Sequence, residues 1–253
     1  MKLLNYLIYL ILIITFMSCD SKKETKEGIK LISIPKADYQ NSLEGFWLGQ
    51  SIANWTGLVT EMDKIGIPTA DGKGEGFYTR EDWGKLDQPN IWGEFKGGEN
   101  QLIDFKVAEK DSIWGSDDDT DIEYMYQELL GNIPYVFFTP DQIVNGWKKH
   151  IHLEEENFLW VSNQKAFDLM NEGVLPPETS DPVSNPFYEM IDAQLTTEIF
   201  GLFAPTNPKV ALELAYLPVR TTARGNAVDI AEFYIIMHSL ASNPTKNMSI
   251  KAR

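Results

Sequence analysis

The sequence predicts an all-α fold, and three observations favour it. Apolar residues recur at steps of three and four in several long segments, as they do on the buried face of a helix. The alternating pattern of a strand is confined to residues 135–138. Hydrophobic residues make up 43% of the 253-residue chain, enough to bury a sizeable core in one domain or two small ones.

The chain is strongly acidic. It has 22 Lys and Arg residues against 37 Asp and Glu residues, which gives a formal net charge of −15. A surface of that sign repels phosphate backbones, so nucleic-acid binding by counterion release is excluded as a function. The single cysteine, Cys19, permits neither an internal disulfide nor a thiolate zinc site.

The N-terminus has the form of a secretory signal. Lys2 is followed by a mainly apolar run over residues 3–17 that is short for a membrane span, and then by Ser18 and Cys19. The order Phe-Met-Ser-Cys resembles the bacterial lipobox, in which the cysteine is lipidated. An uncleaved anchor helix is the alternative, but no stop-transfer pattern follows. We expect residues 1–18 to be removed and Cys19 to anchor the protein in a membrane of the cell envelope, facing the periplasm or the surface.

A polar, charged tether is predicted over residues 19–41, between the lipid and a domain over residues 42–253. The domain is predicted to open with a helix from residue 43. The apolar face of that helix is formed by Leu48, Ile52, Trp55, Val59 and Met62. A second stripe has a small residue at every fourth position, namely Gly45, Gly49, Ala53 and Gly57. Because glycine costs about 1 kcal/mol in a helix interior, this stripe predicts close approach of another backbone.

A long ordered loop region is predicted over residues 64–116. Glycines and prolines interrupt every period there, while interleaved aromatic residues indicate packing, namely Phe77, Tyr78, Trp83, Trp92, Phe95 and Trp114. Long structured loops often carry function, although these aromatic side chains could equally fill the edge of the core. Apolar spacing then predicts helices over residues 121–130, 154–171, 185–203, 208–217 and 227–240.

The densest acidic cluster, Ser-Asp-Asp-Asp-Thr-Asp at residues 116–121, lies where the loop region enters the next helix. One or two acids suffice to cap a helix, which is the alternative explanation. Asp117, Asp118 and Asp119 repel one another unless a cation offsets their charge, so the cluster predicts a site for a hard cation with oxygen ligands.

Several other sites are excluded. An EF-hand calcium loop beginning at Asp117 would need glycine at its sixth position, where Ile122 stands. His150 and His152 are two residues apart and belong to no zinc motif. No motif supports a serine or cysteine nucleophile.

Two segments resemble ADP-ribosylglycohydrolases. Residues 45–61, GFWLGQSIANWTGLVTE, resemble the opening helix of that family, and residues 117–120, Asp-Asp-Asp-Thr, resemble its Thr/Ser-Asp-Asp-Thr metal motif. A weaker likeness covers residues 192–204 and 224–228, so that the resemblance spans roughly residues 42–240.

The chain also departs from the family pattern. Ala53-Asn54 stands where the family has Gly-Asp, and Asp117 stands where it has Thr or Ser. The second metal motif of the family, Asp-x-Asp-Thr/Ser, has no counterpart after Glu123. We therefore expect either a truncated chain or a shortened member with an incomplete site.

The resemblance implies an ADP-ribosylglycohydrolase-like helical fold and a hydrolase that cleaves an ADP-ribosyl or related N- or O-glycosidic bond. It implies Mg²⁺ or Mn²⁺ as cofactor, binuclear in a complete member, with Asp117, Asp118 and Asp119 as ligands and Thr120 completing the shell. Glu61 would be the acid/base or water-orienting carboxylate, unless it is simply a solvated residue at a helix end.

Trp83, Trp92 and Trp114 are candidates to stack on an adenine. The expected partners are a small-molecule or ADP-ribosylated substrate, and a membrane through the N-terminal lipid alone. The alternative function is a lipid-tethered, catalytically incomplete domain that binds ADP-ribose or a nucleoside.

Overall fold

The computed structural model describes residues 31–57, 80–86, 102–103, 117–134, 137–153 and 157–242. The chain divides into two units, Met1–Ser33 and Ile34–Arg253. Of the first unit only residues 31–33 are described, and they have no regular secondary structure. The predicted signal segment and Cys19 lie outside the described residues.

Helices form the regular structure of the second unit. In chain order they are α1 (Lys36–Gly57), α2 (Asp118–Asn132), α3 (Pro140–His150), α4 (Val161–Asn171), α5 (Asp192–Thr196), α6 (Ile199–Phe203), α7 (Pro208–Thr222) and α8 (Asn226–Ala241). The described ranges also contain two 3₁₀ turns, Arg80–Asp82 and Glu178–Ser180. The described ranges contain no strand, only an isolated bridge between Leu86 and Leu102, so the all-α prediction is confirmed.

The helices predicted over residues 121–130, 208–217 and 227–240 are present as α2, α7 and α8. Helix α2 begins at Asp118, earlier than predicted, because the Asp117 side chain accepts a hydrogen bond from the Thr120 N–H at 3.2 Å and caps the helix there. Helix α7 continues through Pro218 to Thr222.

Two predicted helices were partly wrong. The helix expected over residues 154–171 begins only at Val161, and residues 157–160 are not helical. The helix expected over residues 185–203 is divided into turns and the short helices α5 and α6. Side chains there bond to distant backbone; for example, the Asn185 amide donates to the Thr179 carbonyl at 3.1 Å. Such bonds compete with a regular helix.

Helix α3 was missed by the apolar spacing, although its start signal is visible in the sequence. Thr139 and Gln142 form a reciprocal capping box, and Pro140 occupies the first turn. The strand-like residues 135–138 are described only at Phe137 and Phe138, which are not in a strand.

Helix α1 begins at Lys36, so the last residues of the predicted tether are helical. The Tyr39 hydroxyl donates to the Leu202 carbonyl at 2.9 Å and holds this first turn against α6. The predicted apolar face of α1 was wrong where it is described, because the side chains of Leu48 and Ile52 are 64% and 50% exposed. Its remaining members lie outside the described side chains. Phe46 and Trp47 pack against the core instead.

The core lies between α2, α3, α4 and the C-terminal helices. Tyr126 and Phe200 meet edge to face with ring centroids 5.3 Å apart, and Phe138 packs beside both rings. Close backbone approach occurs at Gly201 of α6, where an added Cβ would lie 2.5 Å from the Ile235 carbonyl oxygen of α8. Among the described residues, no helix has both the length and the apolar character needed to cross a membrane.

Candidate functional site

A cavity of about 710 Å³ lies between α1, the N-terminus of α2, the α5–α6 junction and the end of α8. The small stripe of α1 forms one wall through Gly45, Gly49 and Ala53. A Cβ added to Gly45 or Gly49 would meet no described atom within 4 Å. The expected close approach of a backbone was therefore wrong for these two glycines, which leave open space in the cavity.

One end of this cavity is apolar and the other is acidic. Phe46, Leu195 and Leu202 contribute apolar surface, and His238 stands edge to face with Phe46 at a centroid distance of 5.7 Å. Burial lowers the pKa of His238, so its imidazole is neutral at pH 7. The acidic end carries three carboxylates, Asp117, Asp119 and Glu198, beside Thr120 and Asn54.

Asp117 is held by the helix that it caps and by α1. Its Oδ1 accepts the Thr120 N–H at 3.2 Å, and its Oδ2 accepts a short hydrogen bond from the Asn54 side-chain amide. Asn54 stands where the family that the sequence resembles has Asp. The Asn54 amide donates to Asp117, whereas a second carboxylate at this position would repel Asp117.

Asp118 is turned away from the cavity. Its Oδ2 accepts the Trp160 N–H at 2.6 Å and the Asn163 side-chain amide at 2.8 Å, and the residue is 5% exposed. Trp160 is the N-cap residue of α4 and provides no side-chain cap itself. Asp118, from the neighbouring helix α2, therefore provides the hydrogen-bond acceptor for an N–H group at the start of α4, where the helix dipole favours a negative charge.

Asp119 faces the cavity and has the most perturbed acidity of the predicted cluster. Burial raises its pKa to about 9, and the charges of Asp117, Asp118, Asp192 and Glu198 act in the same direction. At pH 7 and without a bound cation, its carboxyl group is therefore protonated.

Two glutamates extend the acidic region from α2 to α6. Glu123 is completely buried; its Oε1 accepts the Ile199 N–H at 2.8 Å and its Oε2 accepts the Gln50 amide at 2.7 Å. It thereby connects α2 to α6 and to the cavity wall of α1. Glu198 lies in the cavity wall itself, and burial raises its pKa to about 7.

No Lys or Arg residue lines the cavity in the part of the chain that the structure describes. The ion pairs found there are Lys209–Glu213 on α7 and Arg220–Glu232 between α7 and α8. Within the same residues, no group of three or more His, Cys, Asp or Glu side chains is arranged to hold a metal ion. A cation at the acidic end would therefore be held by fewer side-chain carboxylates and would keep water ligands, as Mg²⁺ commonly does.

The predicted site residues divide into three groups. Asp117, Asp119 and Thr120 line the cavity, whereas Asp118 lies outside its wall. Glu61 and two of the candidate tryptophans, Trp92 and Trp114, lie outside the described residues. The third, Trp83, is 37% exposed and is not part of the described cavity wall.

Sequence reasoning missed Glu198, Glu123 and Asp192 as members of the acidic region. Asp192 is 1% exposed, and its Oδ1 accepts the N–H groups of Ser162 and Asn163 at 3.1 and 2.9 Å. The available signal was weak: Asp192 and Glu198 stand alone in the sequence beside apolar residues, and Glu123 follows the acidic cluster by two residues. An isolated acid among apolar helical positions is a reason to expect a buried carboxylate with specific partners.

Comparison with known proteins gives no match to a family profile, to a curated protein or to a solved structure. The likeness to ADP-ribosylglycohydrolases therefore stays a prediction made from the residues.

Proposed function

We propose that the cavity is the active site of a hydrolase that depends on a divalent cation and cleaves an ADP-ribosyl or related N- or O-glycosidic bond. The observation that carries this proposal is the convergence of Asp117, Asp119, Thr120 and Glu198 on one cavity of about 710 Å³. That volume suits a nucleoside-sized or larger ligand.

The acidic end suits a cation. Asp119 is buried among other carboxylates, which together with burial raise its pKa to about 9. A bound Mg²⁺ or Mn²⁺ would offset this repulsion and keep the carboxyl group ionised. We assign Asp117, Asp119 and Thr120 as its protein ligands; the cation would supply Lewis acidity and orient ribose hydroxyls and water.

Glu198 is suited to proton transfer. Its pKa of about 7 means that protonated and ionised forms coexist near neutral pH, so it can give a proton to a leaving group or take one from water. Glycosidic hydrolysis needs a carboxyl group in each role, on either side of the bond. We assign Glu198 this role in the cavity, and the family-based assignment of Glu61 remains a second candidate.

The remaining cavity residues bind and orient the substrate. The open side of α1 at Gly45 and Gly49 admits a flat ring, and Phe46 adds an aromatic contact. Glu123 holds the Gln50 amide at 2.7 Å and so fixes this wall relative to α6.

A binding protein without turnover is the second candidate. It is favoured by the hydrogen bonds of Asp118, whose Oδ2 is occupied by Trp160 and Asn163 outside the cavity wall. With Asp118 engaged in this way, the predicted three-aspartate ligand set is incomplete, while the cavity could still accommodate ADP-ribose or a nucleoside.

The test measures ADP-ribose or nucleobase release by the purified full chain, using N- and O-linked ADP-ribosyl conjugates and nucleosides with and without Mg²⁺ or Mn²⁺. We expect metal-dependent release that falls about 10²- to 10⁴-fold in Glu198→Gln. Asp119→Asn should abolish the metal-dependent release. Glu172→Gln, an equivalent change at an exposed site, should leave release unchanged. Calorimetric binding of ADP-ribose or adenosine without release under any condition would refute the hydrolase and support the binding protein.

We further propose that the protein is lipid-anchored in the cell envelope through Cys19. Metabolic labelling with an alkyne fatty acid should mark the protein and should fail in Cys19→Ser. Labelling that persists in this variant would refute the anchor.

A further inference from the structure

A group of buried polar side chains lies where the start of α4, the start of α5 and the end of α7 meet. Asn163 is 0% exposed, Asp192 is 1% exposed and Thr222 is 2% exposed. In each, one side-chain oxygen has no hydrogen-bond partner among the described residues, namely Asn163 Oδ1, Asp192 Oδ2 and Thr222 Oγ1. None of the three residues lines the cavity.

Hydrogen bonds hold these residues together. Asp192 Oδ1 accepts the N–H groups of Ser162 and Asn163 at 3.1 and 2.9 Å. The Ser162 hydroxyl donates to the Thr222 carbonyl at 2.8 Å. The first turn of α4 thus connects Asp192 to Thr222, so the three residues belong to one small region of the interior.

The orientation of the Asn163 amide is determined by its partner. Its Nδ2 donates to Asp118 Oδ2 at 2.8 Å, so its Oδ1 must point elsewhere. Asn163 Oδ1 and Asp192 Oδ2 are pure acceptors when the carboxyl group is ionised, and neither can satisfy the other. Buried polar atoms in folded proteins almost always have a partner, so their number in one place indicates an occupant.

The occupant must be positive or must donate hydrogen bonds. Burial raises the pKa of Asp192, and the charge of Asp118 acts in the same direction, so this region is acidic. The ion pairs of the described residues, Lys209–Glu213 and Arg220–Glu232, involve neither aspartate. Carboxylate, amide and hydroxyl oxygens are the ligands that hard cations prefer.

We propose that Asn163, Asp192 and Thr222 bind one hard cation through these three oxygens, at an interior site separate from the cavity. The cation joins the start of α5 to α4 and α7. It thereby also holds Asn163, whose side-chain amide donates to Asp118 at 2.8 Å. This site does not depend on the proposed hydrolase.

The test is thermal unfolding of the EDTA-treated full chain, titrated separately with NaCl, MgCl₂ and CaCl₂ at constant ionic strength. We expect one of these cations to raise the Tm saturably. A cation bound at Asp117 and Asp119 in the cavity would also raise the Tm, so the ligand variants are compared in the Asp119→Asn background. There Asp192→Asn should remove this shift, and Thr222→Val should weaken the apparent affinity at least tenfold. Asp168→Asn, the same chemical change at an exposed position of α4, should keep the shift.

Asp119→Asn separates this site from the cavity, and it should also keep the shift. Loss of the shift in the single variant Asp119→Asn would refute a separate site, because the cavity would then be the source of the shift. A wild-type Tm that does not respond to any of the three cations would also refute the proposal and assign a water molecule to the three oxygens. If Asp192→Asn does not fold, Thr222→Val decides, because it removes one ligand without changing the shape of the side chain; an unchanged affinity in this variant would contradict the site.

Discussion

Replacing Asp119 with Asn should reduce the pH dependence of the domain's stability. In the folded protein burial and four neighbouring carboxylates raise the pKa of Asp119 from 3.8 to about 9. An asparagine at this position has nearly the same size and no charge at any pH. The variant therefore tests the electrostatic cost of the acidic region without creating a cavity.

The sign follows from proton binding. Between pH 4 and pH 9 the folded state keeps a proton on Asp119 that the unfolded state has lost, so the free energy of unfolding falls as the pH rises. The full stability is present below the unfolded pKa and is lost progressively up to the folded pKa. At about 1.4 kcal/mol per pH unit, Asp119 contributes a fall of at most about 4 kcal/mol between pH 5 and pH 8.

Urea unfolding at pH 5, 6, 7 and 8 in the presence of EDTA measures this effect. The wild-type protein should lose stability across the series, and Asp119→Asn should flatten the curve and be the more stable protein at pH 8. Burial also raises the pKa values of Glu123, Asp118, Asp192 and Glu198, so these groups contribute in the same direction and some slope will remain in the variant. Asp168→Asn should reproduce the wild-type slope.

Adding Mg²⁺ should oppose the loss at pH 8 in the wild-type protein if Asp119 is a cation ligand, because binding to the folded state adds free energy of unfolding. Equal slopes in the wild type and Asp119→Asn would refute the burial of Asp119 among carboxylates. Equal stabilisation of both proteins by Mg²⁺ would refute its assignment as a ligand.

Four further changes test packing and hydrogen bonding by urea unfolding at pH 6. Gly201→Ala should destabilise the domain by about 1–3 kcal/mol, because the added Cβ would lie 2.5 Å from the Ile235 carbonyl oxygen. Gly45→Ala, where the added Cβ meets open space, should stabilise it by up to about 1 kcal/mol. The reverse order of stability would contradict the packing of α6 on α8. Glu123→Ala should cost about 2–5 kcal/mol because it strands the Ile199 N–H and the Gln50 amide, and a loss below 1 kcal/mol would show that these bonds are absent. Thr139→Ala should cost about 1 kcal/mol through loss of the capping box, and an unchanged midpoint would rule out that cap.

The sequence predicted best those features that depend on neighbouring residues. The apolar spacing of α2, α7 and α8 is local, so their existence followed from it, and the turn at Asp117 was recognisable as an acidic helix start. The capping box of α3 was equally local, and Ile143, Val144 and Trp147 follow it at helical spacing, but this helix was overlooked. The arrangement of residues 185–203 was not predictable in this way, because Asn185 and Asp192 bond to backbone groups of α4 and the 3₁₀ turn.

Sequence alone determined that the described chain folds into helices and that three aspartates begin one of them. Tertiary structure decided what those aspartates face. Asp117 and Asp119 line a cavity, while Asp118, adjacent to both, turns to the start of α4. It also brought Glu198 and Asp192 into the same acidic region from 70 or more residues away in the chain. The physical reason is that burial and charge act through space, so the neighbours that set the acidity of a carboxyl group are known only once the helices have packed.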